Sequence, residues 1–275
     1  MIRVAQLENS GIFMRQSKLR FTYIGGPTAL LEFAGLRFLT DPTFDPAGGE
    51  YSTGPVTLRK VQGPALPAEG VQFDVVLLSH DHHADNLDRT GREVLAKAKR
   101  VFTTKAGAER LGGNAVGLAP WESAVVASPT EGVVKITGTP ARHGPANLDR
   151  GPVTGFVLQS EENEEAALYI SGDTVWYEGV AEIKNHFRIA CGVLFMGAAR
   201  VPEVGPSHLT MSAQEAVQFA TLFPGTAIIP LHYEGWCHFS ESRQEIEDAF
   251  KVAKMDGRLR WMQAGEPTEI EARNG

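Results

Sequence analysis

Asp74-Val75-Val76-Leu77-Leu78-Ser79-His80-Asp81-His82-His83-Ala84-Asp85-Asn86-Leu87-Asp88 is the stretch from which the rest of this chain is read. An apolar run ends abruptly in imidazoles and carboxylates. Val75 to Leu78 is short, β-branched at its start and uncharged, which suits a strand buried on both faces. The polar run begins where that strand stops, in a turn before a helix. Imidazole and carboxylate groups converging at a strand's C-terminal end are the ingredients of a metal site.

Working outward, Leu19 to Ile24, Thr28 to Phe33 and Leu36 to Thr40 read as strands. Gly25-Gly26-Pro27 and Ala34-Gly35 are the turns between them. Asp41-Pro42 closes the third strand, because proline cannot continue a strand interior. Ala47 to Gly70 is rich in Gly and Pro and reads as a long loop, either a binding loop or a surface connector. Leu87 to Arg100 has helix composition. Strands are expected at Val101–Thr103, Ser123–Ala127, Val133–Thr137, Val153–Gln159, Ala166–Ile170, Ala190–Met196, Thr226–Pro230 and Leu259–Met262. Helices are expected at Lys105–Leu111, Val180–His186 and Glu241–Lys254. A further helix runs from Ser212, whose partner Glu215 completes a capping box, to Leu222. The acidic run Glu161–Glu165 reads as a solvated hairpin tip. Paired strands followed by strand–helix alternation predict an α/β architecture of mixed sheets. No linker divides the chain. Residues 1–18 read as an N-terminal extension and 19–275 as one domain.

Composition sets outer limits. The chain has 275 residues, of which 43% are apolar, enough for a sizeable core. The formal net charge of -7, with no basic run, argues against a nucleic-acid backbone as the main ligand. Two cysteines form no disulfide framework: Cys191 lies in an apolar run, and Cys237 sits beside Trp236 and His238. No stretch reaches the roughly 20 apolar residues of a membrane span, and the N-terminus does not read as a secretory signal. A cytoplasmic enzyme is the expectation. Its expected partner is a small-molecule substrate, and a homo-oligomer is left open.

Four groups share one topological setting. His80 to Asp85, His143, Asp173 and His232 each follow the C-terminal end of an expected strand, where ligands collect in α/β sheets. One such residue alone is more often an ordinary loop residue. Four together point to a metal centre. His186 and His238 fall outside these positions and read as surface or packing residues. Trp236 and Tyr233 either wall a pocket or pack their loop. Asp41 either supports the site or merely ends its strand.

Ser-His-Asp-His-His-Ala-Asp-Asn (79–86), His143, Gly172-Asp173-Thr174 and Pro230-Leu231-His232 resemble the ordered metal motifs of the metallo-β-lactamase-fold hydrolases. Tyr23 to Glu32, Leu39-Thr40-Asp41-Pro42 and His208 to Ala216 are similar to one branch. That branch holds the ascorbate-6-phosphate lactonases and the N-acyl-phosphatidylethanolamine phospholipases D. The resemblance implies a four-layer αββα sandwich of two mixed sheets. It also implies a hydrolase with a binuclear metal site, cleaving a small ester, lactone or phosphodiester by a metal-activated hydroxide.

It further implies roles for individual residues. The metal ligands would be drawn from His80, His82, His83, Asp85, His143, Asp173 and His232. Asp85 would also be catalytic, and His208 would meet the substrate. The family's first motif is His-x-His-x-Asp-His. Here it is one residue longer and ends in Asn86. Anchoring on the strand end pairs His80 with His82; anchoring on the tail brings in His83 with Asp85. The pairing of His80 with His83 is favoured. An amide oxygen binds Zn²⁺ more weakly than imidazole does. The expected cofactor is therefore two Zn²⁺, the second held more weakly, with Mn²⁺ or Fe²⁺ as alternatives. A histidine of the branch's first hairpin is missing, its position being Gly26 or Pro27. A nuclease of the same fold and a non-catalytic metal-binding protein are the competing readings.

Overall fold

The computed structural model describes residues 19–53, 56–130, 132–148, 150–161 and 163–270. The N-terminal extension expected at 1–18 and Glu162 of the acidic hairpin tip lie outside the described residues. The first half of the chain contributes β1 (Leu19–Gly25), β2 (Thr28–Phe33), β3 (Leu36–Thr40), β4 (Glu50–Thr53), β5 (Val56–Arg59) and β6 (Val75–Leu77). It continues with α1 (Arg89–Val94), β7 (Arg100–Thr103), α2 (Lys105–Leu111), β8 (Ala115–Gly117) and β9 (Ser123–Ala127). The second half contributes β10 (Val133–Thr139), β11 (Gly155–Ser160), β12 (Asn163–Ile170), α3 (Glu178–Glu182) and β13 (Ile189–Phe195). The chain ends with α4 (Ala213–Leu222), β14 (Ala227–Leu231), α5 (Arg243–Val252) and β15 (Pro267–Ile270).

Side chains on a strand alternate between faces, and that alternation builds four layers. Val75 and Leu77 of β6 face a central core with Phe38, Leu168, Ile170, Val193 and Phe195. Val76 and Leu78 face the other way, against Val94 and Leu95. On the second sheet, Tyr169, Leu194 and Ile228 turn outward onto Val180 of α3, Phe219 of α4 and Phe250 of α5. Both sheets are mixed. One runs β15-β1-β2-β3-β6-β7-β8 and the other β14-β13-β12-β11-β10-β9. β3, β6, β7 and β8 are parallel, as are β12, β13 and β14. The result is the expected αββα sandwich of two mixed sheets.

The parallel strands set where the functional turns lie, because their C-terminal ends meet at one rim. Thr154 N donates to Ser79 O at 3.1 Å. Gly172, at φ 59°, packs so closely that a Cβ there would lie 2.7 Å from the Ser79 Cβ. Only glycine suits that approach and that backbone. The turns after β6 and β12 are thereby pressed together across the two sheets.

Three expected elements differ. The stretch 47–70 is not a bare loop: β4 and β5 pair as a hairpin, with Tyr51 and Val56 buried. Neighbouring glycines and prolines mask these two short strands. The helix expected at Leu87–Arg100 is confined to α1 and a 3-10 turn at Leu95–Lys97, because Asp88 is the N-cap. The strand expected at Leu259–Met262 is a single bridge, Ile228 to Leu259, and the last strand is β15, which pairs with β1.

Asp88 does more than cap α1. Its Oδ1 accepts from Gly91 N at 2.8 Å and Phe44 N at 3.0 Å. Its Oδ2 accepts from Asp45 N at 2.7 Å and from Lys60 Nζ at 2.9 Å. Lys60, just past β5, is only 3% exposed, and burial lowers its pKa against the pull of Asp88. This ion pair fastens the β4–β5 hairpin to the helix that follows the histidine-rich turn. Removing one partner of a buried pair costs about 3–5 kcal/mol, because the other charge is stranded. Asp88→Ala is therefore expected to lose about that much in urea unfolding. Lys60→Met, which leaves Asp88 its three backbone donors, should lose less. Equal, negligible losses would show that the pair does not anchor the hairpin.

Candidate metal centre

The site begins with how His80 is aimed. Asp41, at the end of β3, accepts from Ser79 N at 2.5 Å and from Ser79 Oγ at 2.7 Å. Ser79 Oγ in turn lies 2.9 Å from His80 Nδ1. This relay turns His80 Nε2 inward, to 2.9 Å from His83 Nδ1. His143 arrives from the loop after β10 with its Nδ1 held 3.1 Å from Leu209 O. Its Nε2 lies 3.1 Å from the same His83 Nδ1. Three imidazole nitrogens thus converge. Ligands around one tetrahedral Zn²⁺ sit about 3.4 Å apart, given bonds of about 2.1 Å.

A second cluster adjoins the first. Asp173 follows β12, and its Oδ2 lies 3.9 Å from His143 Nε2. Its Oδ1 lies 3.4 Å from His232 Nε2, which is 3.5 Å from Asp85 Oδ2. Asp173 and His232 are fully buried and Asp85 nearly so. His232 adopts the left-handed backbone, φ 53°, which disfavours a side chain. It is held there by its N–H, which donates to Gly26 O in the first hairpin at 2.9 Å. Gly26 itself has φ 55°, with the Trp236 Nε1 3.5 Å from where a Cβ would be. Of the two positions, Gly26 and Pro27, at which the hairpin histidine is missing, Gly26 is one where the backbone would strain a side chain.

Electrostatics favour a cation. Burial drives the His80 imidazole well below its ordinary pKa, and His83 down to about 3, with neighbouring imidazoles adding to both. Both are held neutral, the form that ligates metal. Burial would raise the Asp85 and Asp173 carboxyls. Contacts with His232 and His238 outweigh burial at Asp85, and His232 and His143 outweigh it at Asp173, so both stay ionised. Burial would also discharge His232, but Asp173 and Asp85 hold its pKa up to about 10. Metal binding replaces such a proton. Asp85 Oδ1, both Asp173 carboxylate oxygens and both His232 nitrogens are buried without a hydrogen-bond partner. Orphaned buried donors of this type, converging at ligand spacing, fit a metal ion. Among the described residues, His80 with His143 and Asp173, Asp85 with Asp173 and His232, and His80 with His82 and His83 are groupings that could hold one.

Other residues singled out in the sequence lie apart. His82 Nε2 is 3.0 Å from Arg150 O, so this ring turns toward the loop after β10, although with His80 and His83 it also makes a geometrically admissible trio. Asp81 leaves the cluster for Arg110, with contacts of 2.9 and 2.5 Å. Asn86 donates through Nδ2 to Asp41 Oδ2 at 3.2 Å. His208 pairs with Glu215 Oε2 at 2.8 Å, a contact that raises its pKa. Trp236 packs on Tyr51 and Tyr233 on Trp261, with ring centroids 5.2 and 5.4 Å apart. Cys191 is buried, with its thiol pushed up to about 12 by desolvation, and Cys237 is exposed. His238 departs from the sequence reading. It is no surface or packing residue: its side chain is buried, and its Nε2 lies 3.0 Å from Asp85 Oδ2. No local motif marks it, because the loop Glu234-Gly235-Trp236-Cys237-His238 reaches the site only through tertiary contacts.

A cleft opens onto these groups. Asp85, His143 and Asp173 form its floor, with Val56, Leu58, Val201 and Leu209 as an apolar wall and Arg150 among its lining residues. His208 is not among the lining residues; its neighbour Leu209 is.

Comparison with known proteins agrees with this geometry. Residues 36–233 match the family model of the beta-lactamase superfamily domain. A UPF0173 metal-dependent hydrolase of Caldivirga maquilingensis is 27% identical over 82% of this chain and 86% of its own length. The mitochondrial N-acyl-phosphatidylethanolamine-hydrolyzing phospholipase D of Saccharomyces cerevisiae is 24% identical over 82% of this chain and 50% of its own. A solved structure described as a possible metal-dependent hydrolase from Veillonella parvula superposes with a TM-score of 0.78 at 18% identity. It covers 92% of this chain and all of the other. With its αββα layers and its histidine and aspartate clusters at the rim of the sheets, the chain belongs to the beta-lactamase superfamily.

Proposed function

We propose that this protein is a metal-dependent hydrolase that cleaves a small ester, lactone or phosphodiester at a binuclear centre. His80, His83 and His143 would hold one metal, and Asp85, Asp173 and His232 the other, with Asp173 between them. Zn²⁺ suits the imidazole-rich donor set best, and Mn²⁺ or Fe²⁺ are the alternatives. The observation that carries this reading is the pair of buried carboxylates, Asp85 and Asp173, three of whose four oxygens (Asp85 Oδ1 and both of Asp173) have no hydrogen-bond donor, beside three converging imidazoles. A bound metal supplies Lewis acidity, lowering the pKa of a water and polarising the electrophile. The chain's own residues do the rest. Asp41 and Ser79 fix His80, and Leu209 O fixes His143, in the manner of outer partners that orient ligands. Asp85, an ionised carboxylate at the floor of the cleft, is placed to orient the nucleophile and accept its proton.

The cleft bears on substrate. Its wall of Val56, Leu58, Val201 and Leu209 excludes water and suits a substrate with an apolar flank beside the reacting bond. The net charge of -7 disfavours a nucleic-acid substrate. His208, which the branch resemblance assigns to the substrate, would have to leave Glu215 to take that part. Among the described residues no helix is long and apolar enough to cross a membrane. A non-catalytic metal-binding role is the second reading, favoured by the asparagine at position 86.

Asp173→Ala is expected to lower kcat/KM by at least ~10³-fold, the scale of losing a transition-state-stabilising group. The measurement is a panel of aryl esters, lactones and bis-aryl phosphodiesters; unchanged turnover would overturn the reading. Exhaustive chelation should abolish activity, and added Zn²⁺ or Mn²⁺ should restore it. Turnover by protein shown to be metal-free would refute metal dependence. His83→Ala should lose bound metal, whereas His82→Ala should keep it; the reverse result would exchange their roles.

A further inference from the structure

Residue 86 raises a specific problem. The family motif places a histidine there, and this chain has Asn86. Its amide nitrogen is committed to Asp41 Oδ2 at 3.2 Å and Ser79 Oγ at 3.4 Å, on the side of the relay that aims His80. Its Oδ1 is buried without a partner. An amide oxygen is a weak donor to Zn²⁺ beside imidazole. On the proposed reading, then, the second metal lacks one nitrogen ligand.

We infer that His238 supplies that ligand, completing the second cluster from the opposite sheet's loop in place of residue 86. Its Nε2 is 3.0 Å from Asp85 Oδ2, the same oxygen that lies 3.5 Å from His232 Nε2. Asp85 Oδ2 therefore lies within 3.5 Å of two imidazole nitrogens, one from each histidine. The His238 side chain is only 6% exposed, and it lines the cleft that contains Asp85 and Asp173. Its Nδ1 is buried without a partner, and its Nε2 is turned to Asp85.

The loop is built to hold it. Arg200 N donates to His238 O at 2.8 Å. Trp236, 3% exposed, anchors the preceding residues and bridges to Lys60. Phe239 touches both imidazoles, with ring centroids 4.6 Å from His238 and 4.9 Å from His232. One aromatic side chain thus fixes the two rings relative to each other. His232 and His238 leave the same turn after β14, so a single loop would deliver two nitrogen ligands where the family pattern draws one from each sheet.

The inference rests on the binuclear reading, and metal counting separates the two. The full chain, the variants His238→Gln, Asn86→Ala and the double variant N86H/H238Q are loaded with Zn²⁺ and dialysed. Bound metal is counted by plasma mass spectrometry, and affinity is measured by competition with a chromogenic chelator. The unmodified chain is expected to hold two ions. His238→Gln, whose amide can still hydrogen-bond Asp85, should hold one ion or bind the second at least tenfold more weakly. Asn86→Ala should keep both, and N86H/H238Q should regain the second. A His238→Gln variant that keeps both ions at unchanged affinity would reduce His238 to positioning Asp85. Loss of the second ion from Asn86→Ala would assign the ligand to the amide instead. Either result overturns the inference and leaves the hydrolase reading standing. A single ion in the unmodified chain overturns the inference and the second site together. No ion at all overturns the proposed function itself.

Discussion

Two carboxylates, Asp85 and Asp173, are buried where the two sheets meet, and Asp85 Oδ1 and both Asp173 oxygens lack hydrogen-bond donors. An ionised carboxylate taken out of water costs several kcal/mol unless positive charge compensates it. His143, His232 and His238 stand round them at 3.0 to 3.9 Å. The arrangement is tolerable only with a proton or a metal cation at its centre. The placement of the surrounding elements serves this requirement.

The supports are layered outward from it. Asp41 crosses from β3 to hold Ser79, and Ser79 holds His80. Asp41 is itself pushed up to about 7, mainly by burial and further by the Asp173 charge, in spite of the Ser79 bonds. Farther out, Asp88 pins the start of α1, the strand-end segment at Phe44 and Asp45, and Lys60 at the end of the β4–β5 hairpin. The apolar wall of the cleft and the histidine-rich turn therefore share one buried anchor. A distortion of the hairpin would be felt at the turn through that carboxylate.

Much of this was legible because it is local. The strands β1, β2, β3, β12, β13 and β14 announce themselves by apolar runs between turn residues, and the Ser212–Glu215 capping box marks the start of α4. The candidate ligands were visible because each follows a strand end. The β4–β5 hairpin was not visible, since four-residue strands among glycines and prolines carry little periodic signal. The bridge at Leu259 illustrates the converse. An apolar, strand-like run forms no strand because it meets only Ile228, while the edge of β1 is taken by β15.

Sequence alone determined the class of the fold and the kinds of side chain available at its rim. Alternating apolar runs must bury both faces, and histidines and aspartates after strand ends must meet where parallel strands end together. Tertiary structure decided which ring nitrogens converge. His83 turns inward through Nδ1 while its neighbour His82 turns to Arg150 O, a difference of rotamer and backbone that spacing does not encode. It also decided the place of His238, whose distance from Asp85 is set by the packing of Trp236, Phe239 and the β14 turn rather than by anything adjacent in the chain.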